Sequence, residues 1–158
     1  MTRRMAALGL IGALAVPAIG AEPAAALAPG DHVPAFDAVG IDGRQQRIDF
    51  DKGADTILLF FLSGCPACHK MLPLWNQAFE RRPKTVRVVG VLLDREPPGF
   101  FMAMPIAFPV VRGPGGEFNK AWKLNRVPMM LRVAPGGRVA DAAVGPTDAI
   151  RVGEIFHP

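Results

Sequence analysis

One uncharged stretch, TILLFFL at residues 56–62, constrains this chain more than any other. After Thr56 it contains no polar side chain, and it is rich in β-branched and aromatic residues. It therefore reads as a strand buried on both faces. Such a strand needs a covering layer on each side, which means a sheet flanked by helices. Ser63-Gly64 breaks the run, and then both cysteines of the chain arrive, Cys65 and Cys68, with His69 directly after. A helix is expected to begin at Cys65 or Pro66, because proline suits the first helical turn. Leu72, Leu74, Trp75 and Phe79 give that helix its apolar face, and Pro73 lies inside it.

The remaining elements follow from pattern and punctuation. Phe36–Val39 and Gln46–Phe50 read as a hairpin around Asp42-Gly43. TVRVVGVLLD at 85–94 reads as a second buried strand. An irregular segment follows, with one helical turn at Phe100–Met104, a short strand at 108–113 and a short helix at Glu117–Leu124. Strands at 129–133 and 138–145 are joined by Pro135-Gly136-Gly137, a strong turn signal. A last helix runs to Phe156 with Thr147 as its expected N-cap. Strand–helix–strand units followed by a hairpin and a helix make an α/β domain. It has a mixed central sheet, flanking helices and an N-terminal β-hairpin.

The chain of 158 residues favours one domain. Arg3 and Arg4, the apolar run Met5–Val16, Pro17 and the small residues after it form a secretory signal pattern over residues 1–20. Ala18-Ile19-Gly20 places the cut after Gly20, with Ala24–Ala26 as the second choice. The apolar run is short for a membrane span, so a retained anchor is the weaker reading. Residues 21–30, rich in Ala and Pro, read as a linker, and 31–158 as the folded domain. The exported chain is thus expected to be periplasmic. The net charge of +4 is spread along the chain and argues against a nucleic-acid partner.

Export sharpens the question of the cysteines. A pair three residues apart closes too small a loop to staple a fold, so chemistry is its better explanation. Cys-x-x-Cys reads as a dithiol redox motif, whereas Cys-x-x-Cys-His reads as a c-type haem attachment site. The context favours redox chemistry. A buried strand leading into a helix start puts Cys65 at unpaired backbone N–H groups and the positive end of the helix dipole, which favour a thiolate. Cys68, one turn on, is close enough to close a disulfide and to attack a mixed one.

These features together resemble the thioredoxin superfamily over residues 30–156. The resemblance rests on TILLFFL, CPACHK, Pro73 five residues after Cys68, RVP before a strand pair, and APGGR between those strands. It is strongest with the exported thioredoxin-like branch of TlpA, ResA and CcmG type, and FFLSGCPACHKMLP is similar to the methylamine-utilisation protein MauD. The resemblance implies a thioredoxin fold and a thiol–disulfide oxidoreductase that needs no cofactor. Cys65 would attack and Cys68 would resolve the mixed disulfide. Pro66 and Ala67 would tune the potential, and Val127-Pro128 would be a cis bond bordering the substrate groove. Its partners would be dithiols or disulfides of exported proteins, an apocytochrome's among them, and a membrane electron donor. The lean is towards a reductant.

The chain also departs from that branch. Gly64 stands where Trp is common, Leu59 where a buried acid or amide is common, and Met71 where some reductants carry Glu. The usual proton acceptors for the buried thiol are therefore missing, and His69 is the candidate left for proton transfer. Leu62 stands where peroxiredoxins need Thr or Ser, and two Cys with one nearby His are too few for a zinc site. Two rival functions stay open at this point. One is a c-type haem electron carrier through Cys65, Cys68 and His69, and the other a redox-inactive accessory or chaperone module of thioredoxin fold.

Overall fold

The structure is a computed structural model that describes residues 26–51 and 53–157. The expected signal segment, 1–20, lies outside the described residues. Strands β1 (Phe36–Gly40), β2 (Gln45–Ile48), β3 (Thr56–Phe61), β4 (Arg87–Leu92), β5 (Val110–Arg112), β6 (Met129–Val133) and β7 (Val139–Val144) form one sheet. Their order is β2-β1-β5-β4-β3-β6-β7. β3, β4 and β5 run parallel, and the other neighbours are antiparallel, so the sheet is mixed. The helices are α1 (Pro66–Arg81), α2 (Phe100–Ala103), α3 (Gly116–Ala121) and α4 (Ala149–Phe156).

β3 shows why its sequence carries no polar alternation. Leu58 and Phe60 face one core, with Val89, Val91, Leu131 and Trp122. Ile57, Leu59 and Phe61 face the other, with Leu72, Trp75 and Phe156. Side chains alternate across a strand, so burial of both faces makes every position apolar. The second core is roofed by α1 and α4. The first is closed by α3 and by the chain before β1, including Leu27 and Val33. Gly90 in β4 is needed where Phe108 crosses the strand, because a Cβ there would stand 2.7 Å from the Phe108 ring.

Several expectations change in detail. The stretch expected as a linker is docked onto the domain at its end. Leu27 is buried, Gly30 N–H donates to Val139 O at 2.8 Å, and Arg138 donates to Gly30 O. Phe50 is buried but lies beyond β2, which ends at Ile48. The helix expected at Glu117–Leu124 ends at Ala121, and Lys123 takes a left-handed φ of 53°. The N-cap of α4 is Asp148, whose side chain accepts the Arg151 N–H at 2.8 Å, and not Thr147. Thr147 instead points its N–H at Met71 Sδ, 3.5 Å away, which ties the start of α4 to α1. Both residues can cap, and the one whose carboxylate meets the free N–H groups does so.

Candidate active site

Cys65 is the N-cap of α1 and Pro66 its first residue. Proline has no N–H to lose there, and its fixed φ starts the helix. The Cys65 sulfur accepts the Cys68 N–H at 3.2 Å, so one of the free N–H groups of the helix start points at it. Cys65 is half-buried, whereas Cys68 has no exposed surface. Cys68 lies in the core with Leu59, Met71, Trp75 and Met130, and both cysteines are thiols here.

Burial pushes the Cys68 thiol up from 9.0 to about 12, and the hydrogen bond with the Cys65 side chain adds to the rise. The raised value has a stability consequence. Below 9.0 folded and unfolded chains both keep this proton, and above it the unfolded chain gives it up first. The reduced protein is therefore expected to lose stability as pH rises from 9.0 towards about 12. Urea midpoints at about pH 8 and about pH 10.5 test this. Cys68→Ala should flatten the dependence. An equal fall in the variant would assign it to other groups.

His69, expected as a proton carrier, is turned back onto the loop. Its Nε2–H donates to Ser63 O at 2.6 Å, and its ring stands 6.2 Å from that of Phe100. Ala67 is half-buried beside the cysteines. The Val127–Pro128 bond is cis. Phe60 pairs with Met129, so Val127 and Pro128 lie at the same end of the sheet as the Leu62–Cys65 loop. Val127 and Cys65 both pack against the core cluster that holds Cys68. The cysteines, His69 and the 127–128 bond are thus gathered at one sheet end.

Sequence reasoning missed Asp94. It sits two residues beyond β4, and its carboxylate accepts both the N–H and the Oγ–H of Ser63, each at 2.8 Å. Its negative charge also raises the Cys68 thiol. The available signal was an acid directly after a buried strand, at the sheet end where parallel strands of this class bind ligands. Asp94 also forms part of a cleft of about 870 Å³ whose walls include Phe101, Met102 and Arg112. Arg112 is paired with Glu96 there and holds its carboxyl below the usual range.

Comparison with known proteins agrees with this geometry. A family model described as AhpC/TSA family matches residues 29–141. The chain is 30% identical over 111 residues to sporulation thiol-disulfide oxidoreductase A of Bacillus subtilis (strain 168), covering 66% of this chain and 67% of that one. It is 23% identical over 120 residues to thiol-disulfide oxidoreductase ResA of Bacillus cereus (strain ATCC 10987 / NRS 248), covering 73% and 69%. The crystal structure of StoA from Bacillus subtilis superposes with a TM-score of 0.67 at 28% identity, over 79% of this chain and 98% of that one. A structure described as a thiol:disulfide interchange protein DsbE from Chlorobium tepidum gives 0.67 at 26% identity, over 80% and 92%.

Proposed function

This chain belongs to the AhpC/TSA family, has the thioredoxin fold and is a thiol–disulfide oxidoreductase, and we propose that Cys65 and Cys68 are the redox couple of an exported, periplasmic reductant. The observation that supports this best is the pairing of a half-exposed sulfur at a helix start with a fully buried one a turn away.

The reaction follows from the two environments. The Cys65 thiolate attacks one sulfur of a substrate disulfide. A Cys65–substrate bond forms, the substrate S–S bond breaks, and the released thiolate takes a proton. Cys68 then attacks the Cys65 sulfur, forming the Cys65–Cys68 disulfide and releasing the second substrate thiol. Two electrons have passed to the substrate. Two of the causes that raise Cys68, the hydrogen bond to Cys65 and the Cys65 charge, vanish once Cys65 is in a mixed disulfide. The resolving thiol is thereby made easier to ionise at the step that needs it. Pro66, Ala67, Val127 and Pro128 border the groove in this reading, and a membrane electron donor returns the chain to its reduced form. Disulfides of exported proteins are the substrates, with the cysteine pair of an apocytochrome as the specific candidate.

The N-terminal pattern over 1–20 supports export. Among the described residues no helix is long and apolar enough to cross a membrane. The haem reading fares worse. Its axial ligand would be His69, whose Nε2 is hydrogen-bonded to Ser63 O, and Cys68 is sealed in the core away from any macrocycle. The inactive-module reading leaves the thiol-to-thiol geometry without a purpose.

A glutathione titration of the mature chain tests the direction. The expected potential is near that of thioredoxin, about −270 mV, because no Lys or Arg adjoins Cys65 to stabilise its thiolate strongly. A value above about −150 mV would make the protein an oxidant of exported dithiols.

A further inference from the structure

We propose that Asp94 is the positioning residue of the active-site loop, holding Cys65 in place for attack through its grip on Ser63. The inference rests on the reading of Cys65 as the nucleophile. β3 and β4 pair in parallel as far as Phe61 and Leu92, and Leu93 N–H still donates to Phe61 O at 3.0 Å. Just past those ends Ser63 meets Asp94, giving its N–H to one carboxylate oxygen and its Oγ–H to the other. The Ser63 carbonyl accepts the His69 Nε2–H, and the His69 N–H donates back to Cys65 O at 3.0 Å. Every polar group of Ser63 is thus tied, on one side to the end of β4 and on the other to α1.

Burial makes this grip firm. Ser63 is 6% exposed, so water competes poorly for its hydrogen bonds. Bonds to an ionised carboxylate are stronger than neutral ones. Both Asp94 oxygens are given to Ser63, and Arg112, a cation on the same cleft wall, is paired with Glu96. Side-chain packing adds nothing at the position between Ser63 and Cys65. Residue 64 is glycine, and a Cβ built there meets nothing within 4 Å. Where the branch it resembles commonly places a Trp, this chain has an open position, and the polar clamp does the holding. Displacing a reacting atom by about 1 Å can slow a reaction about a hundredfold. A loose Ser63 would move Cys65 by way of one intervening glycine.

The test uses the full mature chain and its Asp94→Ala, Asp94→Asn, Ser63→Ala and Ser63→Ala/Asp94→Ala variants. The kcat and KM for reduction of a small model disulfide are measured beside thermal unfolding. Asp94→Ala is expected to lose about ten- to a hundredfold in kcat with KM unchanged. Asp94→Asn, which still offers one acceptor to Ser63, should fall in between. The double variant should be no worse than Asp94→Ala, because both single changes break the same clamp. If Asp94→Ala does not fold, the Asp94→Asn and Ser63→Ala values decide. A kcat within about twofold of wild type in those that fold, even with a lowered Tm, would overturn the inference and leave the proposed function standing. So would strict additivity in the double variant. A wild-type chain that reduces no disulfide would overturn the proposed function and the inference together.

Discussion

Cys65→Ser is expected to lose about a thousandfold or more in disulfide exchange, while Cys68→Ala keeps the first step and stalls at the second. The two sulfurs are in different situations, and the asymmetry decides the outcome. Cys65 is half-exposed at the helix start, where a substrate sulfur can reach it. Cys68 has no exposed surface for a substrate sulfur to meet, and its N–H is bonded to the Cys65 sulfur. Exchange of the Cys65 sulfur for a hydroxyl removes the nucleophile without changing the shape of the loop. Removal of the Cys68 sulfur leaves a small apolar cavity in the core, at a modest cost in stability. Mass spectrometry of each variant after exposure to a periplasmic extract would read the result. Mixed disulfides should accumulate on Cys68→Ala at Cys65 and be absent from Cys65→Ser. Adducts at Cys68 in Cys65→Ser, at rates near wild type, would reverse the assigned roles.

Much of this arrangement is legible in the residues. TILLFFL announces a strand buried on both faces because no polar position interrupts it, and the two cores on either side of β3 are the physical content of that pattern. The cysteine pair announces itself by spacing, and Pro66 by its fitness for a helix start. Asp94 is harder to find. Its partner Ser63 is 31 residues away, and the two meet because β3 and β4 are parallel neighbours whose ends coincide. Local pattern carries no record of that pairing. The orientation of His69 is hidden for a different reason, since its partner is only six residues away but the direction of the Ser63 carbonyl is set by how the loop turns. Thr147 and Asp148 show a third kind of limit. Adjacent residues can both cap a helix, and α1 draws the Thr147 N–H towards Met71.

Leu59→Asp is expected to cost about 4 kcal/mol or more, a large share of the 5–15 kcal/mol that holds a domain of this size. Leu59 sits at the centre of the sheet, paired with Gly90 on one side and Met130 on the other, and has no exposed surface. Its side chain lies in the cluster that contains Cys68, Met71 and Trp75, whose polar atoms are a thiol and an indole N–H already given to Met130 Sδ. A carboxyl there loses water and gains no cation. Burial would raise its folded pKa above the unfolded value of about 3.9. The neutral form is then the tolerated one, so the loss should be smaller in acid and grow as pH rises from about 3.9 towards the raised pKa. Urea unfolding at about pH 4.5 and about pH 8 measures this, and equal losses at both would mean that the carboxyl reaches water. The same substitution restores an acid where the exported thioredoxin-like branch often has one. An acid that ionises beside Cys68 can take its proton, and mixed disulfides of the folded variant should then resolve faster. The apolar floor under the dithiol therefore trades a faster second step for a more stable sheet.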